Sequence, residues 1–312
     1  MTVPSKVDLV GVGLNAIDTL IPLDHFPARG SKTEYCDAKV MLGGQVATTV
    51  IACQTWGLKT RYVGKLGDDE AGNLHRREFA QVGVDARLTT VSNASSPQSL
   101  ILVDEGGERT VLCRRDGRLL LQPEEIDREW IVNARALHVD GFETAAATQA
   151  ARWAREANVT VIADLDETYS GVEDLVANVD YLIVSRDFPT RFTGERSLEQ
   201  ALRVIQRRFG CSLTAATLGA DGVLAWDGER FCARSAFRVP VTDTTGAGDI
   251  FHAGFIYGLL QRWPLERQLD FACAAAASNC MQAGARGGIG TVEAIEQIMA
   301  TTPRYAIAPA AD

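Results

Sequence analysis

The run Thr242-Asp243-Thr244-Thr245-Gly246-Ala247-Gly248-Asp249 sets small residues and a carboxylate directly ahead of the apolar stretch 250–260. Small residues let the backbone turn tightly, so that successive N–H groups converge with the positive end of a helix dipole behind them. Such a nest holds the negative charge that develops on a phosphoryl group. A carboxylate there would repel phosphate if it were only a ligand; Asp249 makes chemical sense as a base that takes the proton from an attacking hydroxyl. An isolated GAGD would serve equally well as a helix start, packed through its glycines and capped by the acid.

The rest of the chain must position such a group. With 312 residues and 46% apolar side chains, the chain can bury the core of one large α/β domain. Its formal net charge of −9 speaks against nucleic acid or an anionic membrane as partner, since both require a basic face. A small anionic substrate stays open, because a few local cations can hold it. The seven cysteines are scattered and never spaced CxxC, so they read as reduced thiols and not as a disulfide framework or zinc site. The N-terminus runs straight into a strand without a basic-then-apolar signal, and no apolar run is long enough to span a bilayer. A soluble, cytoplasmic protein is expected.

β-rich apolar runs at 7–12, 60–64, 136–139, 159–163, 181–184 and 213–217 alternate with helical stretches. That rhythm predicts an α/β fold with a mainly parallel, doubly wound sheet covered on both faces. FRVPV, at 237–241, reads as a further strand ahead of the glycine-rich run, which in turn opens a helix. Two stretches break the rhythm. Residues 21–42 carry turn signals at 26–30 and then SKTEYCDAKVML, an extended strand; residues 99–115 place Glu105-Gly106-Gly107-Glu108 between two β-prone runs, as in a hairpin. Together they predict a small β lid on a single domain spanning 1–312, over the sheet edge where open α/β folds bind ligands. The lid's exposed edge invites pairing with a second copy, so a homodimer is expected. The tail from Thr302 reads as loosely held. Gly11-Val12-Gly13 follows a strand but lacks the third glycine of a dinucleotide fingerprint.

DTTGAGD, followed by Phe251 and Gly254, resembles the C-terminal signature of the ribokinase-like (PfkB) carbohydrate kinases. Gly43-Gly44-Gln45-Val46-Ala47-Thr48-Thr49, running on to Trp56-Gly57, is similar to that family's N-terminal signature, and YVGKLGDDEAGN (62–73) looks like its continuation. The motifs keep the family's order from Asp18 to Gly288, almost the whole chain. The resemblance implies a ribokinase-like fold and ATP-dependent transfer of the γ-phosphoryl group to a primary hydroxyl of a small sugar or sugar derivative. It implies that Asp249 is the base, assisted by the N–H groups of Gly246, Ala247 and Gly248. Asp18 would grip two sugar hydroxyls, with Gly43, Gly44, Thr48 and Glu143 also on the substrate side. Ser185, Thr217, Gly219, Gly222, Gly248 and Cys273 would serve the nucleotide. Magnesium is expected with ATP, and potassium would be held around Asp243, Thr245, Asn279, Gln282, Gly284 and Gly288.

The chain departs from the family pattern in two places. Thr48 stands where an asparagine is usual, and Ser185-Arg186-Asp187-Phe188 replaces the common Asn-x-x-Glu. Magnesium work would then fall to Asp187 or to Asp164 and Asp166. Lys32, Arg109, Arg114 and Arg115 put cations on the lid, which suits an acidic or sulfonated sugar. Thr48, Ser185, residues 95–99 and FHAG resemble the sulfofructose kinase branch, yet Phe142 and Cys113 stand where polar groups would be expected. Ribose, fructose, ketodeoxygluconate and sulfofructose remain open as substrate types. A nucleoside or vitamin kinase of the same fold would want an aromatic lid, for which 21–42 offers only Phe26 and Tyr35. A non-catalytic sugar or nucleotide sensor would be expected to lose Asp249.

Overall fold

A computed structural model describes residues 6–104 and 109–306. The strands are β1 (Val7–Val12), β2 (Ala16–Pro22), β3 (Lys39–Gly43), β4 (Thr60–Gly67), β5 (Asp85–Val91), β6 (Gln98–Val103), β7 (Arg109–Arg114), β8 (Ala134–Asp140), β9 (Thr160–Leu165), β10 (Tyr181–Ser185), β11 (Leu213–Thr217), β12 (Val223–Trp226) and β13 (Phe231–Arg234). The helices are α1 (Gln45–Thr55), α2 (Glu70–Val82), α3 (Arg128–Val132), α4 (Thr144–Glu156), α5 (Val172–Val176), α6 (Phe188–Thr193), α7 (Leu198–Phe209), α8 (Ala247–Leu260), α9 (Leu265–Cys280) and α10 (Val292–Thr301). None of them is long and apolar enough to cross a membrane.

The larger sheet has the order β13-β12-β11-β10-β9-β8-β1-β4-β5. From β11 to β5 all neighbours are parallel, and β12 and β13 extend one edge as an antiparallel hairpin. β4 is buried at every position, as a parallel strand covered on both faces must be. One face packs on α1, α2, α8 and α9 through Leu9, Val50, Phe79, Phe255 and Phe271. The other packs on α3, α4, α5 and α7 through Val10, Leu137, Ile131, Ala150 and Leu202. The expected doubly wound α/β architecture is therefore the one the chain adopts.

Strand order reverses at β1. The chain goes from β1 to β4 and β5 on one side and later builds β8 to β11 on the other. The carboxyl ends of β1 and β8 then diverge into a crevice, the usual ligand position in such sheets. They are tied there by the Leu14 N–H, which donates to Asp140 Oδ2 at 2.7 Å.

The smaller sheet is the lid, ordered β3-β2-β6-β7. It begins at Ala16, earlier than the expected insertion 21–42, so Asp18 lies on a lid strand. Within SKTEYCDAKVML only the part from Lys39 pairs with β2, where Lys39 faces Leu20. β6 and β7 form the expected antiparallel pair; Glu105-Gly106-Gly107-Glu108 between them lies outside the described residues. Cross-strand register puts Met41, Asp18, Ser99 and Cys113 in one row, and Val40, Thr19, Leu100 and Leu112 in the next. Adjacent rows face opposite sides of a sheet. The second row is apolar and exposed at Val40, Leu100 and Leu112.

Two sequence expectations need correction. FRVPV is not a sheet strand: β13 ends at Arg234, and Phe237 makes an isolated bridge with Arg304 instead. Pro240 has no N–H with which to extend a ladder. The start of the tail is correspondingly held and not loose, since residues 303–305 hydrogen-bond along 236–238.

Candidate active site

α8 starts at the crevice because Gly246 adopts the left-handed conformation, φ 74°. A Cβ there would also lie 2.5 Å from Ala285 Cα, so only glycine lets the loop after α9 approach. Gly248 meets open space, and the Ala247 N–H donates to Thr244 O at 3.2 Å. Asp249 stands in the first turn. Its carbonyl accepts the Thr49 hydroxyl of α1 at 2.9 Å, which fixes α8 against the helix that follows the double glycine. Burial pushes the Asp249 carboxyl up to about 7, the Asp164 charge pushes the same way, and His252 and Arg286 oppose the rise. A carboxyl so placed is half ionised near neutrality, as a general base should be.

Asp18 faces this turn from the lid. Its Oδ2 lies 2.6 Å from the position that a Cβ on Gly43 would take, so a side chain there would push the carboxylate aside. Gly44, at φ 94°, packs its α-carbon on the backbone of Leu14, Asn15 and Ala16. Burial raises the Asp18 pKa, while a hydrogen bond from Ser99 and the Arg286 charge act against it.

Arg286 is the residue that the sequence reading did not single out. It follows Gly284-Ala285, and its side chain is only 7% exposed. Nε donates to Thr48 Oγ1 at 3.0 Å, Nη2 to Gly43 O at 2.6 Å, and Nη1 to the Glu78 carboxylate. Thr48 is thereby buried and occupied by the guanidinium. Glu143 is likewise buried: its Oε1 accepts from the Leu121 N–H at 3.2 Å, and burial, reinforced by Asp140, pushes it up to about 8.

Acidic side chains gather at the strand ends. Asp140 accepts from the N–H groups of Leu14 and Phe142 and is pushed up to about 7, chiefly by burial. Asp164 is buried 3.4 Å from His252 Nδ1, with Gln45 Nε2 at 3.5 Å; burial and the Asp166 charge push its carboxyl well up. Asp166 accepts the Tyr169 hydroxyl. Asp187 is exposed at the start of α6. Among the described residues, no three Asp, Glu, His or Cys side chains converge as a metal-holding group.

Thr217, Gly219, Gly222, Gly248 and Cys273 line a single cavity of about 230 Å³, walled by α8, α9 and the turn after β11. Ser185 is not in that lining; its hydroxyl donates to Asp166 O at 3.3 Å. The six candidates for a monovalent cation also come together. Asp243 accepts from Thr245 and from the Gly284 N–H, Asn279 bridges Thr245 O and the Gly288 N–H, and the Gln282 N–H donates to Asn279 O. Lys32 is exposed on the segment between β2 and β3. Arg109 lies on β7, its backbone paired with Val103, and its side chain is outside the described set. Arg114 lies 4.0 Å from Asp69, and the Arg115 guanidinium stands 4.6 Å from the Phe142 ring centroid.

Removing one partner of a buried ion pair leaves the other charge desolvated. Arg286→Met is therefore expected to destabilise the fold by about 3–5 kcal/mol, measured by denaturant unfolding. Arg286→Met combined with Glu78→Leu should recover much of that loss.

Known proteins resemble the chain over most of its length. The protein is 27% identical over 318 residues to a 5-dehydro-2-deoxygluconokinase of Geobacillus kaustophilus, covering 94% of this chain and 93% of that one. It is 29% identical over 279 residues to an ATP-dependent ribose-1-phosphate kinase of Halopiger xanaduensis, covering 86% and 90%. A ribokinase structure from Thermotoga maritima shares the fold at a TM-score of 0.83 and 24% identity, over 95% of this chain and 100% of the other. The family model described as pfkB family carbohydrate kinase matches residues 9–291, and this chain belongs to that family of sugar kinases.

Proposed function

We propose that this kinase transfers the γ-phosphoryl group of ATP to a primary hydroxyl of a small anionic sugar, with Asp249 as the base. The observation that carries the reading is the placement of two successive residues. Gly248 lines the cavity that suits a nucleotide, and Asp249 senses the charges of Asp18 and Arg286 on the lid side. A hydroxyl held by Asp18 and the backbone of Gly43 and Gly44 would lie between them.

In this reading the lid closes over the sugar and excludes water that would otherwise accept the phosphoryl group. Ionised Asp249 takes the hydroxyl proton, and the N–H groups opening α8 stabilise charge on the transferred group. Asp164 and Asp166 repel one another, a repulsion that a divalent cation relieves. They would hold the magnesium ion that neutralises phosphate charge, since that ion needs only one or two protein carboxylates. The oxygens gathered around Asp243, Asn279 and Gly288 suit potassium in the same way.

Two observations support an anionic sugar. The two relatives cited above are named for a gluconate-type sugar acid and a sugar phosphate. Arg115 lies at the crevice, its guanidinium over Phe142, and its charge works against the rise that burial, first, and Asp166 and Asp140 impose on the Tyr169 phenol. A panel of neutral sugars, sugar acids, sugar phosphates, sulfonated sugars and nucleosides, read by ADP release, tests the substrate class. Turnover of the neutral members alone would refute it.

Asp249→Asn should lower kcat by at least about 10²-fold while ADP binding persists; unchanged turnover would remove Asp249 from the chemistry. Because its pKa is raised, the base is protonated below the pKa and active above it. kcat/KM should therefore rise with pH and level off above about 7, following the carboxyl. The exposed row of Val40, Leu100 and Leu112 supports a homodimer through the lid. Light scattering should then return the mass of two chains.

A further inference from the structure

Tyr305 follows α10 on the segment that sequence alone reads as loose, yet it lines the same cavity as Thr217, Gly248 and Cys273. The segment is fastened at several points. The Arg238 N–H donates to Pro303 O at 2.8 Å, and the Tyr305 N–H donates to Ala236 O at 3.0 Å. The intervening Arg304 reaches Ser235 O and Asp270 Oδ1, each at 2.6 Å, and its guanidinium lies 3.9 Å from the Phe237 ring centroid. Phe237 is itself part of the cavity wall. Residues 303–305 thus run back along 236–238 and are pinned beside this cavity.

The character of the wall decides what Tyr305 can do there. Val239, Val241, Ala276 and Ala277 are aliphatic and offer a ligand no polar group. Phe237 and Phe251 are 3% and 4% exposed, so they are already spent on the core. Tyr305 is 37% exposed, with the Arg238 guanidinium 5.2 Å from its ring centroid. It is the aromatic lining residue that still has surface to bury when a flat ring enters. The hydroxyl-bearing Thr217 and Thr244 line the same cavity together with Ala247 and Gly248 at the start of α8. The α8 terminus suits phosphates, which leaves the aliphatic and aromatic part of the lining to the base.

We propose that Tyr305 contacts the nucleobase of the bound adenine nucleotide, so that the anchored C-terminal segment completes the nucleotide site. The inference rests on the ATP reading given above. Stacking of a base on an aromatic side chain is sequence-tolerant and depends on the ring more than on the hydroxyl.

The test is titration of ADP into the intact enzyme by calorimetry, with KM for ATP measured alongside. Tyr305→Ala and Tyr305→Leu should each weaken ADP binding by about tenfold, while Tyr305→Phe stays within about threefold of wild type. Inhibition by tripolyphosphate, which has no base, should be unchanged in all three variants, as should the sugar KM and the Tm. ADP affinity of Tyr305→Ala within about twofold of wild type overturns the inference, and equal weakening of tripolyphosphate does so too. A wild-type enzyme that fails to bind ADP overturns the nucleotide reading itself.

Discussion

The Arg286 guanidinium is the contact on which the arrangement of the site depends. It reaches the lid through Gly43 O, α1 through Thr48 and α2 through Glu78, from a loop whose start is tied to Asp243 ahead of α8. A planar group with donors in a fixed fork imposes one geometry on its acceptors. Asp18 on the lid and Asp249 on α8 both feel this charge, which lowers the pKa of each against the effect of burial. Such a buried charge is costly to desolvate and stays only because its partners surround it.

The same cation balances the electrostatics of the crevice. Asp18, Asp140, Asp164 and Asp249 are all pushed towards the protonated form by burial, and several repel one another. Arg286 and His252 oppose that pressure at Asp249. The result is a carboxyl, the base of the proposed reaction, poised near neutral pH beside other carboxyls under the same pressure. Closure of the lid would tighten this balance further by removing water.

Much of the framework was legible in the sequence because parallel strands covered on both faces leave unbroken apolar runs, as at 181–184 in β10. The two glycine turns were legible because Gly44 and Gly246 each need a conformation and a close approach that little else allows; Asp18 and Asp249 were singled out only through the motifs around them. Arg286 was not. A single arginine in GARGG reads as a solvated loop cation, and the partners that bury it are more than two hundred residues away in sequence. Its signal lay elsewhere, in the departure at Thr48: the guanidinium donates to the hydroxyl that stands where the family usually has an asparagine. The 303–305 segment was misjudged for a related reason, since its backbone partners at 236–238 lie far back along the chain.

The central claim is that Asp249 is a buried carboxyl poised near neutrality, and its titration can be observed directly. In enzyme labelled with carbon-13 at aspartate carboxyls, the resonance missing from Asp249→Asn identifies the group. The account predicts that this resonance titrates near pH 7 in the unliganded wild type. A midpoint near the ordinary aspartate value of about 4 would contradict it.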